Sequence, residues 1–198
     1  MSKTVIQEIS GSVSQITLNR PDSLNAIDHV LASELREEIL SAEMNKEVRC
    51  VVLKGAGAAF MAGGDIRAFS ERIGNGVDRY MLDLTHDLHD AIIAIRRMPK
   101  PVLASVHGAA AGAGFSIAMA CDMIIAAENS TFTLAYSMLG VSPDGSSTHS
   151  LPRLIGYHQA MELVLLSDRF GTEKAKELGL INFVTAPENL ESETMTLA

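Results

Sequence analysis

The 198-residue sequence predicts an α/β domain with a largely parallel sheet. Three observations carry this. Short apolar, β-branched runs recur at 49–53, 102–106 and 123–127. Stretches with apolar residues at helical spacing lie between them. Loops rich in glycine and alanine join strand ends to helix starts, at 54–65 and 108–114.

Each element follows in order. Residues 4–9 and 13–18 are strand-like and are joined at Ser10-Gly11-Ser12, the signal of a hairpin. A polar loop covers 19–26. Asp28 suits the N-cap of a helix reaching about Ala42, with Val30, Leu31, Leu35, Ile39 and Ala42 on one face. After the strand 49–53 and the glycine loop 54–65, a short helix runs from Ile66 to about Arg72, and Gly74-Asn75-Gly76 ends it. A long helix from Val77 to Arg97 places Tyr80, Leu84, Leu88, Ala91 and Ile95 on one face, and the Met98-Pro99-Lys100-Pro101 stretch stops it. Arg96, Arg97 and Lys100 suit the negative end of that helix dipole. The strand 102–106, the loop 108–114, an apolar helix 115–121 and the strand 123–127 form the centre of the chain. A short strand at 131–134, a helical turn at 136–140, a turn at 142–145 and helices at 146–154 and 157–166 follow. A helix capped by Thr172 ends at Gly179, and 180–184 is a last strand. One core is expected over 1–186, with 187–198 an acidic, frayed tail.

Composition narrows the function. Hydrophobic residues make up 47% and the net charge is −8, which argues for a packed core and against nucleic-acid binding. No stretch reads as a membrane span or secretion signal. Cys50 and Cys121 both lie in apolar runs and read as free buried thiols of a reducing, cytoplasmic compartment. His86 and His89 stand three apart without a supporting cluster, so no metal site is expected.

The two glycine loops share one design. Phe60-Met61-Ala62-Gly63-Gly64-Asp65 follows a strand and precedes a helix, and so does the 108–114 stretch. Small side chains permit close approach to the backbone, and first-turn amides lack helical partners. If both helix starts face one point, two N–H groups would stabilise a carbonyl oxygen turning into an oxyanion. Turn glycines with Asp65 as a cap are the alternative reading. Neither loop has dinucleotide-fold or P-loop spacing.

These motifs, together with Asn19-Arg20-Pro21, Asn25-Ala26, Pro99-Lys100-Pro101, the stretch Gly140-Val141-Ser142-Pro143-Asp144 and 175–180, resemble the crotonase superfamily of enoyl-CoA hydratases and isomerases. The resemblance covers about residues 4 to 186. It implies a spiral of ββα units and an acyl-CoA thioester substrate, with no cofactor beyond the coenzyme A carried by that substrate. It places the oxyanion donors on the Gly64 and Ala113 amides. It lays the CoA arm along Ala62, Gly63, Asp65, Ile66 and Arg67, and puts Arg20 and Leu24 beside the nucleotide. Arg20 pairing with a phosphate and Arg20 in solvent are both open. Family members continue into C-terminal helices that cover the acyl pocket and build trimers, often paired into hexamers. That segment is apparently absent here, either truly missing or lying outside the sequence given, and a homo-oligomer is expected by resemblance.

The departures are informative. Family hydratases carry two glutamates that activate water; the matching positions here are Ser116 and Tyr136, which by resemblance are expected to line the substrate site. A serine is no base near neutral pH, and a phenol with a reference pKa of ~10 is a poor one. One acid remains. Asp144 matches the catalytic aspartate of isomerases resembling the 1,2-epoxyphenylacetyl-CoA isomerase branch. A turn or helix-cap role fits Asp144 equally well from local sequence. The 4-chlorobenzoyl-CoA dehalogenase branch is a second match, with an aspartate at Asp144, an aromatic at Tyr136 and a histidine at His89; a solvated helix face also accounts for His89. The expected activity is therefore double-bond migration in an enoyl-CoA, with a hydratase, a dehalogenase-like enzyme or a non-catalytic CoA-thioester binder as alternatives.

Overall fold

A computed structural model describes residues 3–198. Its main sheet has six strands in the order β1-β2-β3-β4-β6-β9. β1 (Val5–Ser10) and β2 (Val13–Leu18) form the expected antiparallel hairpin. β3 (Cys50–Gly55), β4 (Val102–Val106), β6 (Met123–Ala127) and β9 (Phe183–Thr185) continue it in parallel. All five residues of β4 are buried. A central parallel strand is covered on both faces, which is why its sequence is continuously apolar. A smaller sheet contains β5 (Ala109–Ala111), β7 (Thr131–Thr133) and β8 (Phe170–Gly171). Phe115, Phe132 and Phe170 cluster behind it, with ring centroids 5.3 to 6.0 Å apart.

α1 (His29–Met44) and α3 (Val77–Arg97) pack on one face of the main sheet. The Asp28 side chain accepts from the Leu31 amide at 2.9 Å, as an N-cap should. Leu31, Leu35, Ile39 and Ala42 are buried, but Val30 is 51% exposed and does not belong to the core face. Lys100 does not serve the end of α3. Its ammonium donates to the Ala42, Glu43 and Asn45 carbonyls at 2.6, 3.0 and 2.6 Å and so closes the C-terminus of α1.

Other expectations also fail, and the last strand, expected over 180–184, is confined to Phe183–Thr185. The 108–114 stretch is not all loop, since β5 lies inside it and α4 (Ala113–Ala120) begins at Ala113. The side chain of Thr172 does not cap α7 (Thr172–Glu177); its hydroxyl donates to the Glu128 carbonyl at 2.8 Å. Residues 187–198 are not frayed. They form a short 3-10 turn and α8 (Leu190–Leu197), which buries Leu190 and Thr194 on the far face of the sheet. Thr194 and Ser105 hydroxyls meet at 3.0 Å, and Met195 and Ala198 pack on Val13, Cys50, Val52 and Leu103. The far face supplies an apolar surface that the acidic composition of the segment conceals.

Candidate active site

Adjacent parallel strands release their chains at the same edge of a sheet, and ligands gather there. β3 and β4 are such a pair. From them the two glycine loops run side by side as a short ladder. The Phe60 amide donates to the His107 carbonyl at 2.8 Å, the Met61 amide to Ala109 at 3.0 Å, and the Ala111 amide to Met61 at 2.9 Å. Met61 pairs with Ala110 in parallel. Gly64 and Ala113 each lie three residues beyond that pair, one on each loop. Neither amide donates to a backbone carbonyl among the described loop and turn bonds. The contact depends on glycine: a Cβ on Gly114 would fall 2.4 Å from the Met61 carbonyl oxygen, and Gly63 has φ +96° beside the Ala111 carbonyl. The Phe69 ring of α2 (Ile66–Ser70) packs where a Gly64 side chain would stand.

The polar loop 19–26 holds the first glycine loop in place. Buried Asn25 accepts from the Arg20 amide at 2.8 Å, and its amide nitrogen reaches the Ala56, Ala59 and Phe60 carbonyls at 2.9, 2.8 and 3.2 Å. The Leu24 carbonyl accepts from the Ala62 amide at 3.0 Å, and the Leu24 side chain is exposed. Arg20 is not in free solvent but is paired within the chain. Its guanidinium bonds Asp65 Oδ2 at 2.9 Å and the Ala26 carbonyl, and stands 3.2 Å from Asp28. Asp65 in turn caps α2 by accepting from the Ala68 amide at 3.0 Å. Burial pushes the Asp65 carboxyl up, but the Ala68 amide and Arg20 outweigh it and hold it below the usual carboxylate range. Arg20 and Asp65 thus order the loop from within. Ile66 is exposed, and so is Arg67, whose guanidinium stands 3.4 Å from Glu71.

Ser116, Tyr136 and Asp144 come together. Ser116 is fully buried on α4, one turn past Ala113. Its Oγ is 3.0 Å from the Tyr136 hydroxyl. The Tyr136 hydroxyl donates to Asp144 Oδ1 at 2.6 Å. Burial, then the charge of Asp144, pushes the Tyr136 phenol up, so it keeps its proton and remains a donor. The helix-cap role for Asp144 does not hold. α5 (Ser147–Ile155) has no side-chain cap, and it is the Asp144 carbonyl that accepts from the Ser147 amide and hydroxyl, at 3.0 and 2.6 Å. The half-buried carboxylate is left with Tyr136 as its partner.

His89 is exposed on α3 and makes no hydrogen bond to this group among the described residues. No cluster of three or more His, Cys, Asp or Glu side chains gathers in metal-binding geometry among them, and no helix is long and apolar enough to cross a membrane. A groove of about 340 Å³ beside α8, lined by Lys54, His107, Glu191 and Thr194, lies away from Gly64, Ala113 and Asp144. A second of about 340 Å³ is bounded by Thr4 and residues 19–23, on the loop expected to meet the nucleotide. Sequence reasoning missed Gly145 and Phe69, which shape the site by contact, and the bond from Tyr136 to Asp144. An aromatic hydroxyl eight residues before a turn aspartate was the only signal for the last.

Known proteins similar to this chain carry several reaction names. The chain is 34% identical over 205 residues to the 1,2-epoxyphenylacetyl-CoA isomerase of Escherichia coli (strain K12), spanning all of this chain and 76% of that protein. It is 31% identical over 191 residues to 4-chlorobenzoyl coenzyme A dehalogenase-1 of an Arthrobacter species, spanning 96% and 69%. The crystal structure of an enoyl-CoA hydratase from Polaromonas sp. JS666 superposes with a TM-score of 0.91 at 36% identity, covering 98% of this chain and 75% of that one. The sequence profile of enoyl-CoA hydratase/isomerase matches residues 8–198. With the paired glycine loops, the ββα spiral and this match in agreement, the chain belongs to the enoyl-CoA hydratase/isomerase family.

Proposed function

We propose that the protein moves a double bond in an enoyl-CoA thioester, with Asp144 as the proton carrier. The observation that supports this reading is the Asp144 carboxylate: it is not used by the turn or helix it belongs to, and a neutral phenol holds it two hydrogen bonds from Ser116 on the Ala113 helix.

The steps balance on one carboxylate. The thioester oxygen lies between the Gly64 and Ala113 amides. Asp144 takes a proton from C2 of a 3-enoyl-CoA, and the C–H electron pair moves into a dienolate whose charge rests on that oxygen. The protonated carboxyl returns the proton at C4, and the double bond ends between C2 and C3. No water, metal or redox partner takes part, and coenzyme A enters as part of the substrate. Two-glutamate hydration has no base here, because Ser116 and Tyr136 occupy those positions and the phenol is held protonated. We also propose self-association: Met138, Leu139, Val141, Leu154, Leu165 and Leu166 are all exposed.

The test is direct. The purified protein is offered a 3-enoyl-CoA, a 2-enoyl-CoA and 4-chlorobenzoyl-CoA, and products are followed. Isomerisation lost in Asp144→Asn supports the reading; an Asp144→Asn variant as fast as the parent sinks it.

A further inference from the structure

Ser116 is more than the place where a glutamate is missing. Gly145 follows Asp144 with φ +58°, and a Cβ on it would stand 2.8 Å from Ser116 Cβ and 3.4 Å from both Ser116 Oγ and Ile92 Cδ1. The turn carrying Asp144 therefore lies directly on α4 at Ser116, with no room for a larger side chain on either partner. We propose that Ser116 and Gly145 are a matched small pair that selects the reaction type: their size lets the 143–145 turn close on α4, so that Tyr136 fixes Asp144 Oδ1 and leaves Oδ2 to work on the substrate. This deepens the isomerase reading and rests on it.

The hydrogen count fixes the direction of the bond between Tyr136 and Asp144. The Tyr136 hydroxyl has one proton, and the 2.6 Å contact to a carboxylate has the length of a charge-assisted bond. The Tyr136 oxygen is then an acceptor for Ser116. The Ser116 hydroxyl also reaches the Gly112 carbonyl at 3.1 Å, so its one proton is shared between that carbonyl and the Tyr136 oxygen 3.0 Å away. Ser116 thus acts first by being small, and its hydroxyl is a secondary contact to the phenol. Tyr136 and Ser116 are positioning residues, and Asp144 is the catalytic one.

The experiment compares kcat and KM for a 3-enoyl-CoA across Tyr136→Phe, Ser116→Ala, Ser116→Val, the double variant Ser116→Val/Tyr136→Phe, and Asp144→Asn. Tyr136→Phe keeps the ring and loses only the donor. It lowers kcat about 10- to 100-fold with KM within about 3-fold, the scale of one hydrogen bond to a charged group. Ser116→Ala keeps the size and loses about 3- to 10-fold. Ser116→Val, too large for Gly145, matches Tyr136→Phe, and the double variant is no worse than either single one, because both break the same contact. Losses that multiply in the double variant overturn the matched-pair claim, as does a Ser116→Val enzyme as fast as Ser116→Ala. If Ser116→Val does not fold by circular dichroism, Tyr136→Phe decides: parental kcat there overturns the proposal. An inactive Asp144→Asn beside an unimpaired Tyr136→Phe sinks this inference alone. An active Asp144→Asn sinks the isomerase reading beneath it.

Discussion

The Tyr136 hydroxyl bonds Asp144 Oδ1 at 2.6 Å, while the Asp144 carbonyl and not its carboxylate receives the start of α5. The contrast with Asp65 gives this meaning. Both aspartates precede helices. Asp65 caps its helix and pairs with Arg20; Asp144 does neither. A turn aspartate whose side chain serves no local purpose, and whose partner is a buried phenol, has the placement of a working acid–base group.

Removing that group has a defined cost. Asp144→Asn is expected to reduce kcat about 10²- to 10⁴-fold, the range for a lost general base, with KM for the thioester little changed. Steady-state kinetics on a 3-enoyl-CoA checks this, and thermal unfolding checks that the fold persists.

Ala113 allows the proposed oxyanion donor to be deleted by itself. It is the first residue of α4, where an amide has no helical acceptor and proline is tolerated. Ala113→Pro therefore removes one N–H while α4 is retained, and kcat should fall about 10²- to 10³-fold. Ala113→Gly keeps the donor and should stay within a few-fold of the parent. Equal rates for the proline and glycine variants would remove this amide from the mechanism.

The Arg20–Asp65 pair predicts a pH dependence of stability, not of chemistry. The folded state holds the Asp65 carboxyl below its usual range. Its contribution is complete above the unfolded value of ~4 and is lost as pH falls through the lower folded value. Asp65→Asn keeps a cap and loses the charge. It should be less stable than the parent by about 1 kcal/mol at neutral pH, and the gap should close in acid. Urea unfolding at several pH values measures both.

Lys100→Met should destabilise without touching catalysis. Three carbonyls at the end of α1 lose their donor, at a cost of about 1 to 3 kcal/mol. The melting temperature should drop while kcat and KM hold. A variant as stable as the parent would show that water replaces the ammonium at no cost.

Much of the fold was legible from local pattern. The hairpin, the buried strand 102–106, the Asp28 cap and the core face of α3 follow from apolar spacing and cap chemistry, which act over a few residues. Elements whose state depends on distant surfaces were misjudged. Val30 sits one position off the buried stripe, and α8 is ordered because the far face of the sheet offers Val13, Val52 and Leu103. Lys100 found carbonyls more than fifty residues away in the chain.

The site divides along the same line. The two glycine loops and the identities of Gly64, Ala113, Ser116, Tyr136 and Asp144 are legible in the residues alone, because backbone approach and missing carboxylates can be read position by position. What these groups do to one another depends on long-range packing. Arg20 became an internal clamp because Asp28 and Asp65 fold around it, and His89 was left facing solvent. Ser116 and Gly145, twenty-nine positions apart, meet because α4 and the turn before α5 are pressed together, and Asp144 thereby reaches Tyr136. A hydrogen bond of 2.6 Å depends on such packing, and no local periodicity encodes it.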